Sequence, residues 1–276
     1  MFLRTYHPNP ILLNLGPLKI YWYGFIIVIG IFIAFAVSEW LLKKYQKSGI
    51  LTEIDLADIT LCLLICGLIG ARLFHVISEW QYYFKNPLDI FKVWNGGLWI
   101  YGAIAVGLFG FLIYTRNFNK EKNFLLLDII APGIIIAQSI GRWGNYFNQE
   151  LYGIPTNSIF GLPVDFIHRI KGFEIFFYFH PVFLYESLWC LLVGITFIYL
   201  HLVRIKRKET NANYRIKAGN IFLLYLFLYS LGRFYFEFLR IDTVFLIYSF
   251  RSTQLLALAA IVIAGIFLVK NAAVNE

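Results

Sequence analysis

The chain of 276 residues is 59% hydrophobic and only 14% charged, and its mean hydropathy is +0.68. Soluble domains carry roughly 25% charged residues, so this composition excludes an ordinary soluble protein and predicts a membrane protein with several spans. The formal net charge of +8 suits cytoplasmic loops beside anionic lipid, because the basic residues cluster between apolar segments. We therefore expect a lipid bilayer as a partner and no nucleic acid.

Seven stretches of the sequence are apolar and long enough to cross a bilayer as a helix, which takes about 20 residues. In chain order they are residues 19–41, 54–78, 97–115, 124–142, 182–203, 219–238 and 253–270. The third stretch is the weakest because it is rich in glycine, which destabilises a helix. We predict an all-α polytopic membrane protein, a bundle of seven transmembrane helices that forms a single integral membrane domain over residues 1–276.

The loops between these stretches differ in charge, and the difference predicts their orientation. Lysine and arginine cluster in the first, third and fifth loops, whereas the opposite side carries fewer of them over longer stretches. Because cytoplasmic loops carry the excess of basic residues, we place the N-terminus outside and the C-terminus in the cytoplasm. Residues 143–181 then form a small extracytoplasmic cap or arm. The aromatic loop 79–96 is typical of a segment in the outer interface.

The three cysteines, Cys62, Cys66 and Cys190, all fall inside apolar stretches. Cys62 and Cys66 are four residues apart and share one helix face. No histidine or further cysteine completes a metal ligand set with them. We interpret them as small packing residues and expect neither a metal site nor a disulfide framework.

Polar side chains concentrate in the half of the bundle that this orientation places outside. The set comprises Tyr23, Arg72, Tyr101, Arg142, His180, Tyr185, Glu186, Arg233, Glu237 and Arg240. The inner half, by contrast, holds almost nothing ionisable. A transporter places its site near the midplane, and a channel needs a polar path through the full thickness. The asymmetry instead favours chemistry on a lipid headgroup at the outer interface.

The most polar stretch, residues 138–153, lies at the end of the fourth span. It contains Gln138, Arg142, Asn145, Asn148 and Glu150. Placing polar groups at membrane depth costs free energy, and such groups usually have a function. Arg142 lies between Gly141 and Gly144, and a guanidinium group binds phosphate through two parallel hydrogen bonds.

A second polar face lies in the sixth span, where Arg233, Glu237 and Arg240 follow one another at helical spacing. For Glu237 and Arg240, a structural ion-pair ladder is one interpretation. Arg233 lies deeper, and for it we favour a functional role. Asp128 is alone on its span and is either functional or a structural partner of Arg72.

A motif at residues 141–153 reads Gly-Arg-Trp-Gly-Asn-Tyr-Phe-Asn-Gln-Glu-Leu-Tyr-Gly. It resembles the signature stretch of the bacterial prolipoprotein diacylglyceryl transferases. Four further matches to this family follow the same order along the chain. They are Trp22-Tyr23-Gly24, Trp94-Asn95-Gly96-Gly97, His180-Pro181 with Tyr185-Glu186, and Gly232-Arg233 with Glu237-Phe238 and Arg240. The matches cover most of the chain, and such an ordered series is specific where one motif alone would be weak.

The resemblance implies an enzyme of the bacterial cytoplasmic (inner) membrane, with seven spans and its N-terminus outside. The implied reaction transfers the diacylglyceryl group of phosphatidylglycerol to the lipobox cysteine thiol of a preprolipoprotein, so that a thioether forms and glycerol phosphate leaves. The implied partners are phosphatidylglycerol and the preprolipoprotein signal peptide, and no metal or organic cofactor takes part. The alternative is a transporter or flippase that faces the outer leaflet and moves lipid without covalent change.

Under this resemblance, we expect the arginines of the two polar faces to hold the phosphodiester and stabilise the leaving phosphate. The expected catalytic residues are Arg142, Arg233 and Tyr101. The expected lipid-binding residues are Arg142, Asn145, Tyr23, Asn148 and Gly153, and the expected supporting residues are Glu150, Glu186, Glu237 and Arg240. The acceptor of the thiol proton stays open between Glu150, Glu186, water and phosphate.

Two positions depart from the family pattern. Tyr101 stands where the family usually has a histidine, and Gln149 stands where a glycine is common. Tyrosine has an ordinary pKa of about 10 and is a poor base at neutral pH. We therefore interpret Tyr101 as a hydrogen-bonding residue that positions the substrate.

Overall fold

The computed structural model of the chain describes residues 2–5, 7–16, 18–51, 54–210, 216–242, 246–247 and 250–273. The chain forms two compact units. The first unit comprises residues 1–48 and 124–276, and the second comprises residues 49–123.

Helices make up most of the described chain. In chain order the α-helices are α1 Phe2–Thr5, α2 Trp22–Lys47, α3 Leu56–Ser78, α4 Trp80–Lys85, α5 Ile100–Tyr114, α6 Lys120–Phe147, α7 Val182–Glu209, α8 Asn220–Phe236 and α9 Ser252–Ala273. Short 3-10 helices occur at Pro87–Phe91, Val93–Asn95, Phe166–His168 and Glu237–Leu239. Three antiparallel strand pairs complete the structure: β1 Ile11–Leu15 with β2 Leu18–Tyr21, β3 Leu162–Pro163 with β4 Tyr178–Phe179, and β5 Leu246–Ile247 with β6 Phe250–Arg251.

Six helices of the described chain, α2, α3, α6, α7, α8 and α9, are long and apolar enough to cross a membrane. This confirms the prediction of an all-α, multi-pass membrane protein. Helix α5 is also apolar but has only 15 residues, fewer than the predicted stretch 97–115. At 1.5 Å per residue it is about 22 Å long, which is shorter than the roughly 30 Å hydrocarbon core of a bilayer.

Helix α6 extends beyond both predicted boundaries, because it begins at Lys120 and continues to Phe147 although residues 124–142 were predicted. The prediction ended the span at Arg142, where the apolar run gives way to polar residues. In the structure the helix continues through Gly144, where the missing side chain leaves room for the ring of Tyr23. Residues 143–147 therefore belong to the helix, and the connecting segment begins at Asn148.

Helices of the first unit approach one another at glycines. A Cβ atom on Gly133 of α6 would lie 2.5 Å from the carbonyl oxygen of Ala34 in α2. A Cβ atom on Gly194 of α7 would lie 2.6 Å from Cγ1 of Ile136 in α6. Neither distance leaves room for a side chain, so these two glycines allow α2, α6 and α7 to pack closely.

Asp128 lies fully buried in α6, where its carboxylate accepts three hydrogen bonds. Arg204 donates at 2.8 Å, and the backbone N–H groups of Gly219 and Phe222 donate at 2.9 and 2.8 Å. The predicted alternative of Arg72 as its partner is therefore wrong. Arg204 was placed in a loop by the sequence, but α7 continues to Glu209 and carries it into the bundle.

A fully buried histidine extends this cluster. His201 donates from Nε2 to the backbone carbonyl of Asp128 at 3.0 Å, so its Nδ1 accepts the hydroxyl of Tyr45 at 2.7 Å. The expectation that the inner half holds almost nothing ionisable is therefore wrong. These polar groups tie α2, α6, α7 and α8 together at the end of the unit opposite to Arg142.

In the second unit, Arg72 organises the loop that follows α3. Its guanidinium donates to the backbone carbonyls of Ile90 and Gly96 at 2.8 and 2.7 Å, and it also binds the carbonyls of Asp89, Lys92 and Gly97. Because these bonds satisfy the guanidinium inside the unit, Arg72 has a structural role. Helices α3 and α5 pack together where Cys62 and Cys66 lie against Gly110, which fits the packing role predicted for these cysteines.

Replacement of Asp128 by alanine will destabilise the protein strongly. The change leaves Arg204 and two backbone N–H groups buried without an acceptor, and breaking a buried ion pair costs about 3–5 kcal/mol. Thermal unfolding in detergent micelles measures the effect. As a matched control, Glu39→Ala breaks the surface pair of Glu39 with Lys43, whose side chain is 70% exposed, and such pairs contribute less than about 1 kcal/mol. Equal melting temperatures of the two variants would contradict the assignment.

Candidate functional site

Glu186, in the first turns of α7, binds two arginines from two other helices. Its Oε2 lies 2.7 Å from Nε of Arg142 in α6, and its Oε1 accepts from Arg233 in α8 at 3.2 Å. Glu186 is 5% exposed, so the three charges meet in a largely dry environment. The N–H bond at Nε of Arg142 is not aligned with the carboxylate and has no acceptor in the described part of the chain. We call Arg142, Glu186 and Arg233 the arginine layer.

The arginine layer continues into a chain of ion pairs. Arg233 binds Glu237 at 3.2 Å, Glu237 binds Arg240 at 3.3 Å, and Arg240 binds Asp242 at 2.6 Å. The structural ladder that was one interpretation of Glu237 and Arg240 is therefore present. Arg233 belongs both to this ladder and to the arginine layer, because its guanidinium contacts Glu186 as well.

Sequence reasoning missed two members of the ladder. Arg251 binds Glu237 at 3.3 Å and Asp242 at 3.5 Å. Burial raises the pKa of Asp242, but its bonds to Arg240 and Arg251 outweigh burial and leave the pKa below its ordinary value. The available signal was the density of charge between Glu237 and Arg251, beside an apolar span.

The net charge of the whole cluster follows from its members. The described ion pairs connect four arginines with three carboxylates, which leaves one positive charge unmatched within the described residues. Electrostatic attraction is strong where water is excluded. The cluster is therefore suited to bind one singly charged anion.

Tyr23, in the first turn of α2, approaches α6 at a glycine. A Cβ atom on Gly144 would lie 2.6 Å from Cδ2 of Tyr23, so the tyrosine ring lies directly against the helix. The neighbouring Trp22 stacks on Phe147, with ring centroids 4.5 Å apart. The structure thus brings this predicted lipid-binding residue to the end of α6 that carries Arg142.

Three further predicted residues, Asn145, Asn148 and Glu150, lie together where α6 ends. Asn145 donates from Nδ2 to Oε1 of Glu150 at 2.8 Å, and Asn148 donates to the same oxygen at 3.4 Å. Glu150 therefore orients the two asparagines. In the described ion pairs, Arg142 and Arg233 bind Glu186 or Glu237 rather than Glu150.

Gln149, which stands where the family commonly has glycine, has a left-handed backbone with φ of +53°. That conformation costs little for glycine and more for other residues. The Gln149 side chain offsets this cost by donating to Asp165 at 2.6 Å and to the carbonyl of Pro8 at 3.2 Å, while it accepts from the Asp165 backbone at 2.7 Å. These bonds tie the N-terminal segment and the segment after α6 together. The bonds from Gln149 and His7 hold the pKa of Asp165 below its ordinary value.

Gly153 is a packing position in the structure. Its backbone N–H donates to the carbonyl of His180 at 2.8 Å, and a Cβ atom would lie 2.8 Å from the carbonyl oxygen of Leu239. It therefore shapes the start of the segment 148–181. This segment packs against the ends of α6 and α7 in a small core formed by Tyr146, Tyr152, Leu162, Val164, Phe179 and Phe183.

Tyr101 belongs to the second unit, where it lies in the first turn of α5. Its side chain is 53% exposed. The phenol is therefore accessible from outside that unit, as the predicted role in positioning a substrate requires.

A narrow crevice between α7 and α8 opens beside Glu186 and Arg233. It is lined by Glu186, Trp189, Cys190, Tyr229, Gly232, Arg233 and Phe236. Its volume of about 10 Å³ holds one water molecule at most. Gly232 makes the approach of the helices possible, because a Cβ atom there would lie 2.5 Å from the indole nitrogen of Trp189.

Comparison with known proteins gives one consistent result. Residues 10–270 match the family model of the prolipoprotein diacylglyceryl transferases. A relative from Lysinibacillus sphaericus, the phosphatidylglycerol–prolipoprotein diacylglyceryl transferase, is 40% identical over 92% of this chain and 89% of its own length. Proteins of the same name from Trichormus variabilis and Staphylococcus aureus are each 38% identical. The alignment with the Trichormus protein covers 87% of this chain and 81% of the relative. The alignment with the Staphylococcus protein covers 93% of this chain and 86% of the relative.

Two glycines of α6 provide a matched test of the contact between α2 and α6. Gly144→Ala will lower the melting temperature, because its methyl group collides with Tyr23 and overpacking costs about 1–3 kcal/mol. Gly141→Ala will leave it unchanged or raise it, because Gly141 has open space around it and alanine favours helix by about 1 kcal/mol. Thermal unfolding in micelles compares them. Equal melting temperatures for both variants would show that the Tyr23 contact is absent.

Proposed function

We propose a function from the premise that the chain belongs to the prolipoprotein diacylglyceryl transferase family. It is a transferase that moves the diacylglyceryl group from phosphatidylglycerol to a prolipoprotein. The acceptor is the thiol of the lipobox cysteine in the substrate's signal peptide, and the products are a thioether and glycerol phosphate. The alternative of a transporter without covalent chemistry is not favoured by these relatives.

The observation that carries the proposal for the site is the arginine layer. A phosphodiester has one negative charge, and the ion-pair cluster has one unmatched positive charge. The guanidinium groups of Arg142 and Arg233 bind the same carboxylate, so they are close enough to bind one phosphate together. In a site that excludes water, the two groups stabilise the charge that develops on the phosphate as it leaves.

The transfer step forms one bond and breaks one bond. The substrate thiol loses its proton, and the thiolate sulfur attacks the glyceryl carbon that carries the phosphate. The carbon–sulfur bond forms while the carbon–oxygen bond breaks, and the electron pair of that bond leaves on the phosphate oxygen. We assign the thiol proton to Glu150, because its described contacts use Oε1 alone, whereas both oxygens of Glu186 bind arginines. Arginine is not a base at neutral pH, since its pKa exceeds 12.

The remaining predicted residues take supporting roles in this proposal. Tyr23, Asn145 and Asn148 bind oxygens of the lipid headgroup, and Tyr101 positions the substrate by a hydrogen bond. Glu237 and Arg240 hold Arg233 in place through the ladder. Gly153 acts indirectly through the segment that it shapes.

The proposed topology has seven spans, with α5 as the short third span. The basic clusters between the spans support an extracytoplasmic N-terminus and a cytoplasmic C-terminus. The arginine layer then faces the outer leaflet of the bacterial cytoplasmic membrane, where the lipobox of an exported precursor arrives. Single cysteines placed in the segment 148–181 and between α7 and α8 test this orientation by their labelling from outside intact cells.

Replacement of either site arginine by lysine will reduce transfer by about a hundredfold, because a point charge replaces a planar group that binds two oxygens at once. The assay incubates the purified protein with radiolabelled phosphatidylglycerol and a lipobox peptide, and it measures the thioether on the cysteine. Arg116→Lys, at an exposed position, serves as the control and retains full activity. Wild-type rates for Arg142→Lys and Arg233→Lys would exclude the phosphate-binding role. Label taken up by vesicles without thioether formation would decide for transport.

Removal of the Tyr101 hydroxyl will lower the rate by about fivefold, which corresponds to one neutral hydrogen bond. Tyr101→Phe tests this, and Tyr101→His will retain activity because imidazole restores a donor. Tyr114→Phe, at the other end of α5, is the control. Full activity of Tyr101→Phe in the same transfer assay would remove the positioning role.

A further inference from the structure

Gln138 is a polar residue of α6 that the mechanism above does not use. Its carboxamide Nε2 donates to the hydroxyl of Tyr225 in α8 at 3.1 Å. Its Oε1 is buried and has no hydrogen-bond partner in the described structure. A buried polar atom without a partner is costly and calls for an explanation.

The hydrogen-bonding groups of Gln138 and Tyr225 indicate which kind of ligand would complete their hydrogen bonds. A carboxamide carries two N–H donors and a phenol carries one, and only one of the three is engaged in the described contact. A carboxamide fits the same space in two orientations that exchange its oxygen and its nitrogen, and the hydrogen-bond partners decide between them. In the turned state the Tyr225 hydroxyl donates to Oε1, and the buried free end presents two N–H groups. Both residues are then satisfied by a ligand that offers an acceptor oxygen, such as a carbonyl group.

The position of Gln138 and Tyr225 relative to the arginine layer indicates which group of a ligand could supply this acceptor oxygen. Gln138 precedes Arg142 by four residues, so it lies on the same face of α6 and about 6 Å further along the axis. Tyr229 precedes Arg233 by the same interval in α8, and it stacks on Tyr225 with ring centroids 5.9 Å apart. We call Gln138, Tyr225 and Tyr229 the second polar layer. In the proposed topology Gln138 and Tyr229 lie one helical turn deeper in the membrane than the arginine layer, and Tyr225 lies one turn deeper than Tyr229.

A phospholipid has its acceptor groups in the same order. The phosphate lies outermost, and the glyceryl ester carbonyls follow a short chain of single bonds deeper, above the acyl chains. We propose that the second polar layer binds an ester carbonyl of the diacylglyceryl group, so that the site selects ester-linked over ether-linked donor lipids. This inference rests on the proposed function. An ether lipid keeps the phosphate and the reacting carbon but has no carbonyl to bind.

The experiment compares two donor lipids in the transfer assay, phosphatidylglycerol with ester-linked chains and its analogue with ether-linked chains. Wild-type protein will use the ester lipid with a kcat/KM about fivefold higher, as expected for one hydrogen bond. Gln138→Leu keeps the side-chain size and removes the donor, so it will lower kcat/KM for the ester lipid to the value for the ether lipid. Tyr225→Phe will reduce the same preference.

Ser139→Ala is the matched control, because Ser139 is the neighbouring residue and makes a buried bond to the Ser187 carbonyl at 2.7 Å. Its loss weakens a comparable contact between helices but will leave the ester-to-ether ratio unchanged. A Gln138→Leu variant that loses activity equally on both lipids, or keeps the wild-type ratio, overturns the inference. A wild-type protein that transfers both lipids equally also overturns it. A wild-type protein that forms no thioether with either lipid overturns the proposed function instead.

Discussion

The carboxylate of Glu186 is the constraint on which the site depends. Two guanidinium groups repel each other at short range, and in a medium of low dielectric constant the repulsion is severe. Glu186 offsets it by forming an ion pair with one arginine at each oxygen. Because the three residues come from three helices, this contact also fixes the relative positions of α6, α7 and α8 along their axes. The geometry of the two arginines, to which the proposed function assigns the phosphate, is thereby a property of the bundle rather than of any loop.

A second buried charge cluster lies at the other end of the first unit. Asp128 there is satisfied by Arg204 and by two backbone N–H groups at the start of α8. Buried ion pairs add little net stability, but their geometry tolerates few alternatives. With one cluster near each end, the shared helices have little freedom to slide or rotate. Between the clusters, glycines such as Gly133 and Gly194 let the helices meet closely.

The sequence was sufficient to predict the class of the fold, because apolar stretches of membrane length leave few alternatives in lipid. It also pointed to Arg142 and Arg233, since charged residues inside a span are energetically costly, and the structure brings the two together. It did not reveal that both share Glu186, or that Arg251 joins the ladder, because these contacts join distant parts of the chain. Local signals misled where the polar residues from Arg142 onward were taken as the end of the fourth span. In α6 the absent Cβ at Gly144 admits the ring of Tyr23, and no local pattern encodes that partner.

The charge count of the ion-pair cluster has a consequence for turnover. In the proposed function the donor lipid brings one negative charge to this cluster, and that charge matches the one positive charge left unmatched among its described residues. The departing glycerol phosphate is a phosphomonoester, and such groups carry about −1.5 to −2 charges near pH 7. The product therefore exceeds the available positive charge, and it is also hydrated far better in water than among these helices. A site balanced for the donor favours release of the product and resists inhibition by it.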